Sequence, residues 1–154
     1  MSFCVYEMRR DSKDIPSVEI CCAPFDEQYL EQYKSMYNSA FRPMREALDI
    51  KPYDWYQDGK EILEKSSDIY ILTEGKELIG SVACYENEID DLFVSDSFRG
   101  RGYGKQLLVW AMNHIASCGN DEMVIHVAEW NQRAVQMYIN EGFVIISTED
   151  IDNK

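Results

Sequence analysis

A chain of 154 residues with 45% hydrophobic and 12% aromatic side chains can fold as one ordinary globular domain that buries roughly 70% of its unfolded surface. Its formal charge of −13, from 28 acidic and 15 basic residues, repels nucleic acid and anionic membrane and favours cationic partners. No apolar run approaches the roughly 20 residues of a membrane span. The first basic residues, Arg9 and Arg10, follow the short apolar stretch at the amino terminus, the reverse of an export signal, so a cytoplasmic location is the expectation.

No repeat, low-complexity stretch or long linker divides the chain, and residues 1–154 read as a single domain. Residues 17–23 read as a first strand, ended by Pro24. Asp26 can cap a helix whose apolar residues Tyr29, Leu30, Tyr33, Tyr37, Ala40 and Phe41 fall at helical spacing, an aromatic stripe that reads as core. A weaker helical pattern surrounds Trp55, Gly59, Ile62 and Leu63. The period then changes. Residues 68–73 and 77–85 are strand-like about the hairpin signal Glu74-Gly-Lys76, and residues 89–94 form another strand. A helix over 104–117 carries Leu107, Leu108, Ala111 and Ile115 on one face and stops at Gly119. The continuous apolar run 123–127 suits a strand covered on both sides, and His126 within it reads as a core residue. A last helix over 131–140 and a last strand over 143–147 follow. This order describes an α/β fold of the α+β kind, a mixed sheet with helices against it. The strands flanking the 104–117 helix form a parallel crossover pair.

The cysteines (Cys4, Cys21, Cys22, Cys84, Cys118) are odd in number and form no CxxC pair, and only His114 and His126 could supplement them. Reduced thiols and no metal site are expected.

The informative local feature is the strand ending Leu92-Phe93-Val94, followed by Arg99-Gly100-Arg101-Gly102-Tyr103-Gly104-Lys105 and a helix. Glycines let backbone N–H groups turn toward a ligand with no Cβ in the way. The following helix adds unpaired N–H groups and the positive end of its dipole. With Arg99, Arg101 and Lys105 nearby, this describes an anion site suited to a pyrophosphate. The P-loop pattern fails because Gly104-Lys105 precedes Gln106 instead of Ser or Thr. The dinucleotide fingerprint fits poorly: Gly104 stands one position early, and Asp121 and Glu122 precede the next strand instead of ending it.

Val94 with Arg99-x-x-Gly102-x-Gly104 resembles the acetyl-CoA signature, Gln/Arg-x-x-Gly-x-Gly/Ala, of the GNAT superfamily of N-acetyltransferases. A second block, Val127-Ala-Glu-Trp-Asn131 followed by Ala134, Tyr138 and Glu141-Gly-Phe143, resembles that superfamily's later strand, helix and closing Gly-Phe. The resemblance implies a GNAT-type fold: a central, mostly antiparallel sheet with one splayed parallel strand pair and helices on both faces. It implies acetyl-CoA as co-substrate, inserted between strands 89–94 and 123–127. Phe93 and Val94 would then offer backbone groups to the pantetheine arm, the loop from Arg99 to Lys105 (Gly100, Arg101, Gly102, Tyr103 and Gly104 included) would hold the pyrophosphate, and Asn131 would bond the arm from the other side. Homodimers occur in that superfamily, so a second copy is an admissible partner.

Tyr138 follows Asn131 by seven residues, two turns along one helix face and about 10 Å further on. The resemblance makes it the general acid that protonates the departing thiolate. The acceptor amine must lose a proton first, and the pair Asp90-Asp91, similar to that of diamine acetyltransferases, supplies carboxylates for this. Adjacent strand residues face opposite sides, so only one is expected at the cleft. Asp91 ranks first and Asp90 second, ahead of Glu86, Glu88 and Glu129. The expected acceptor is a small cationic amine such as a polyamine or an aminoglycoside. A peptide amino terminus, or a coenzyme-A-binding sensor without turnover, is the alternative.

Overall fold

The computed structural model describes residues 2–152. Its centre is a seven-stranded sheet in the order β2-β3-β4-β5-β6-β1-β7, formed by β1 (Ser2–Asp11), β2 (Ala23–Pro24), β3 (Ile69–Glu74), β4 (Glu77–Tyr85), β5 (Glu88–Val94), β6 (Glu122–Ala128) and β7 (Val144–Asp152). All neighbouring pairs are antiparallel except β5 and β6. The helices are α1 (Leu30–Ala47), α2 (Lys60–Glu64), α3 (Tyr103–Ser117) and α4 (Gln132–Asn140). They occupy both faces of the sheet, as the GNAT-type reading requires.

The strongest amphipathic patterns become the elements that frame the two cores. On one face, Leu107, Leu108, Ala111, Met112 and Ile115 of α3 and Val135 of α4 pack on Ile79, Val82, Ile89, Met123, Ile125 and Val127. On the other, Tyr29, Tyr33 and Tyr37 from the start and first turns of α1 pack on Ile69, Ile71, Ala83 and Phe93. Asp26 caps the turn that leads into α1 by accepting from the Gln28 N–H at 3.0 Å. The hairpin at Glu74-Gly-Lys76 joins β3 to β4 with Gly75 at φ +62°.

Two expectations fail at the amino-terminal end. The first strand is β1, not residues 17–23, of which only Ala23 pairs with the sheet, through β2. Val18 and Ile20 pack on the α3-side core, and Asn113 of α3 donates to the Pro16 carbonyl at 2.9 Å. Their alternation reflects contact with a helix, not a ladder. β1 lies between β6 and β7, and its alternate residues Tyr6 and Met8 enter the α3-side core. The helix around Trp55–Leu63 shrinks to the five residues of α2, and β7 runs to Asp152 because β1 pairs with it as far as Ser2.

Among the described residues no helix is long and apolar enough to cross a membrane.

Candidate active site

The parallel pairing of β5 with β6 is brief: Glu88 opposite Val124 and Ile89 opposite Ile125. Beyond it the strands part. At that point β5 slips register against β4, between Ser81 and Ala83, and Asp91 adopts φ +51°. This is a one-residue bulge, which reverses the alternation downstream. Ile89 enters the α3-side core, while Phe93, an even number of residues later, enters the α1-side core.

The bulge overturns the expectation that Asp90 and Asp91 face opposite sides. Both border a cleft of about 290 Å³ that passes through the sheet between the parting strands. One side of the cleft is lined by Asn131, Ala134, Met137 and Tyr138 at and along α4. The other is lined by Phe3 and Val5 of β1, Phe41 and Met44 of α1, and Ile50.

The two carboxylates differ in setting. Asp91 is buried, and its oxygens accept from the Tyr37 and Tyr85 hydroxyls at 2.9 Å each, with Lys65 Nζ at 3.7 Å. Burial, Asp91's charge and its hydrogen bonds push both phenols far above the usual tyrosine range. Asp90 is exposed, but it borders the cleft, whose walls are largely apolar. Loss of bulk water there, followed by the charge of Asp91, raises its pKa to about 7. Its Oδ1 accepts the Asp91 backbone N–H at 2.7 Å.

Tyr138 lies on the α4 side, edge-on to Phe143 with ring centroids 6.2 Å apart. Burial, and then the charge of Asp90, raises its pKa to about 12. Asn131 caps α4, its Oδ1 accepting the Ala134 N–H at 3.3 Å. Gly142, after α4, has φ +94°, and a Cβ there would meet Arg10 Nε at 2.8 Å. That guanidinium nitrogen donates to the Glu141 carbonyl at 2.7 Å, so the Gly-Phe signature fixes the exit of α4 against β1.

His126 is not a core residue. Its ring is 44% exposed and borders the cleft, with Nδ1 2.9 Å from Glu88 and Nε2 3.1 Å from Glu7. Position 126 falls on the sheet face opposite α3, where the β1 half of the sheet lacks a covering helix. Partial burial pulls its pKa down, but the bonds to Glu88 and Glu7 outweigh this and raise it. Of the other acids considered, Glu86 sits at φ +58° in the β4–β5 turn and the exposed Glu129 accepts from the Tyr6 hydroxyl at 2.9 Å.

The glycine loop precedes α3 as expected. Gly100 and Gly102 have φ +78° and +82°, a region that costs a side chain about 1–2 kcal/mol. Gly102 caps α3 with no side-chain bond, which leaves the first-turn N–H groups for an outside acceptor. Space beside Gly100 is open, and a Cβ on Gly102 would meet nothing nearer than Gln106 Nε2 at 3.9 Å. This backbone cradle fits a pyrophosphate. Tyr103 packs edge-on to Phe98 at 6.1 Å, and a Cβ on Gly104 would meet Met137 Sδ of α4 at an ordinary 3.9 Å.

Each of the three cations has a partner within the chain. Arg99 pairs with Asp96 at 3.2 Å, Arg101 lies over the Phe98 ring at 5.2 Å, and Lys105 stands 3.7 Å from Glu141. Phe93 and Val94 present backbone on the open edge of β5, with Phe93's ring in the aromatic core. Tyr37, Lys65 and Tyr85 were invisible as site residues, because no spacing in the chain links them to position 91.

The Acetyltransferase (GNAT) family matches residues 30–143, well over half of the chain. Mycothiol acetyltransferase of Corynebacterium glutamicum is 28% identical over 106 residues, covering 66% of this chain and 34% of its own length. The chain thus spans about a third of that relative. An uncharacterized N-acetyltransferase of Archaeoglobus fulgidus is 28% identical over 147 residues, covering 88% of this chain and 90% of its own. A GNAT-family acetyltransferase of Colwellia psychrerythraea superposes with a TM-score of 0.75 at 14% identity, over 97% of this chain and 55% of its own. With a glycine cradle, a splayed parallel pair and a family match that spans both, the chain belongs to the acetyltransferase (GNAT) family.

Proposed function

We propose that this chain is a single catalytic domain that transfers an acetyl group from acetyl-CoA to a primary amine, with Asp90 as proton acceptor and Tyr138 as proton donor. The family generally uses acetyl-CoA, and the residues fit it: the backbone cradle at Gly100–Gly102 suits the pyrophosphate, and the parted edges of β5 and β6 suit the pantetheine arm. The observation that supports this reading is the cleft between the parting strands, which both Asp90 and Tyr138 line.

An alkylamine of pKa about 10.4 is less than about 0.1% neutral at pH 7. Asp90 attracts the ammonium and takes its proton. The nitrogen then bonds to the thioester carbon, the carbon–sulfur bond breaks, and the sulfur takes a proton from Tyr138. The two proton carriers are coupled. The charge of Asp90 is one of the causes that raise Tyr138, so protonating Asp90 removes that cause and makes the phenol a better acid when the thiolate departs.

Asp91, held by two phenols and Lys65, is a positioning residue in this reading, and its order with Asp90 is reversed from the one that strand alternation favours. The acidic chain favours cationic amines in general. Free thiol released from acetyl-CoA, measured across alkylamines, polyamines, aminoglycosides and peptides, tests the reading. Amine-dependent release supports it, whereas release no faster than hydrolysis with every amine favours a coenzyme-A-binding sensor.

A further inference from the structure

The side of the cleft away from α4 is built for a particular kind of amine. Phe3, Val5, Phe41, Met44 and Ile50 are each only partly buried and line the cleft that Asp90 borders. Apolar side chains left open beside a carboxylate carry an energetic cost in water that an apolar ligand removes. The Phe41 ring lies 4.5 Å from that of Tyr37, whose hydroxyl holds Asp91, so the wall and the acid are fixed relative to one another.

The remaining charges near this wall already have partners. Glu7 bonds Arg9 at 3.0 Å and His126 at 3.1 Å, Glu88 bonds His126 at 2.9 Å, and Asp91 holds Lys65 at 3.7 Å. Asp90, by contrast, is bonded by a backbone N–H. The wall therefore presents one carboxylate for one ammonium, in an apolar setting. A second or third ammonium would lose its water against Phe41 and Met44 with no acceptor to replace it, which is strongly unfavourable.

We infer that the acceptor is a small primary monoamine carrying an apolar arm, an arylalkylamine or a medium-chain alkylamine, and not a polyamine or aminoglycoside. The inference rests on Asp90 being the proton acceptor proposed above. It names the occupant from charge and wall chemistry together: one ammonium for one carboxylate, and an aliphatic or aromatic body for the five apolar side chains.

The test is thiol release from acetyl-CoA by the full chain with ethylamine, butylamine, hexylamine, 2-phenylethylamine, spermidine, kanamycin and a short peptide with a free amino terminus. The expected result is a kcat/KM that rises about fourfold per added methylene and that favours 2-phenylethylamine over spermidine by tenfold or more. Phe41→Leu and Met44→Ser should each lower kcat/KM for hexylamine and 2-phenylethylamine more than for ethylamine. Two variants at separate positions of the wall keep the test readable if one fails to fold. Preference for spermidine, kanamycin or the peptide would overturn the inference and leave acetyl transfer through this cleft standing. No amine-dependent release at all would overturn both.

Discussion

Asp91 donates its backbone N–H to the Asp90 carboxylate at 2.7 Å, while its own carboxylate is held by the Tyr37 and Tyr85 hydroxyls at 2.9 Å each. The bulge that creates this geometry puts two negative charges side by side, one saturated with donors and one open to the cleft. Like charge at this range disfavours ionisation of the less supported partner, which here is Asp90.

Neutralising Asp91 should therefore lower the pKa of Asp90. In Asp91→Asn, the acid limb of the pH profile of kcat/KM should move to lower pH than in the wild type. A limb that stays in place would remove Asp91 as the group that tunes Asp90.

Tyr138→Phe keeps the ring against Phe143 and removes the hydroxyl that would donate the proton. Turnover should fall by about 10²–10⁴-fold, the usual contribution of a positioned acid, while coenzyme A binding measured by calorimetry stays within about twofold. Equal losses in turnover and binding would indicate a packing role instead.

Gly142→Ala places a Cβ 2.8 Å from Arg10 Nε at φ +94°. Left-handed strain alone costs about 1–3 kcal/mol, and the Arg10 bond to the Glu141 carbonyl would be lost as well. The urea midpoint should drop with an unchanged slope; an unchanged midpoint would contradict the close packing of the α4 exit on β1.

His126 has a folded pKa raised above its usual value by Glu88 and Glu7. Its contribution to stability is therefore fully present below the unfolded pKa of about 6.5 and is lost as pH rises through the folded one. The bonds also need ionised glutamates. The deficit in Tm of His126→Asn should be largest between about pH 5 and 6.5 and shrink toward alkaline pH. A deficit that grows with pH would reverse the sign of this linkage. The ring is partly exposed, so salt should weaken the effect.

Most of the fold was legible because its patterns are local. The hairpin at Gly75, the α3 stripe of Leu107, Leu108, Ala111 and Ile115, and the apolar run of β6 each state their own period. The failures came where partners lie far apart in the chain. β1 gains its place only by pairing with residues more than a hundred positions away, and residues 17–23 imitate a strand while packing on α3. The site shows the same division. The glycine cradle and the Asn131–Tyr138 spacing are written in short segments, so both could be named. The bulge at Asp91 depends on β4 register and on phenols from α1 and the end of β4, so simple alternation assigned the two aspartates to opposite faces. His126 was taken for core because its neighbours are apolar, yet its own face of the sheet lacks a covering helix.

If Asp90 accepts the amine proton, the pH dependence of kcat/KM must differ between Asp90→Asn and the wild type. With Asp90 raised to about 7, the wild-type value should fall on the acid side through a limb near neutrality. The variant should lose that limb together with most of its activity. A variant that keeps both the limb and the wild-type rate would remove Asp90 as the proton acceptor.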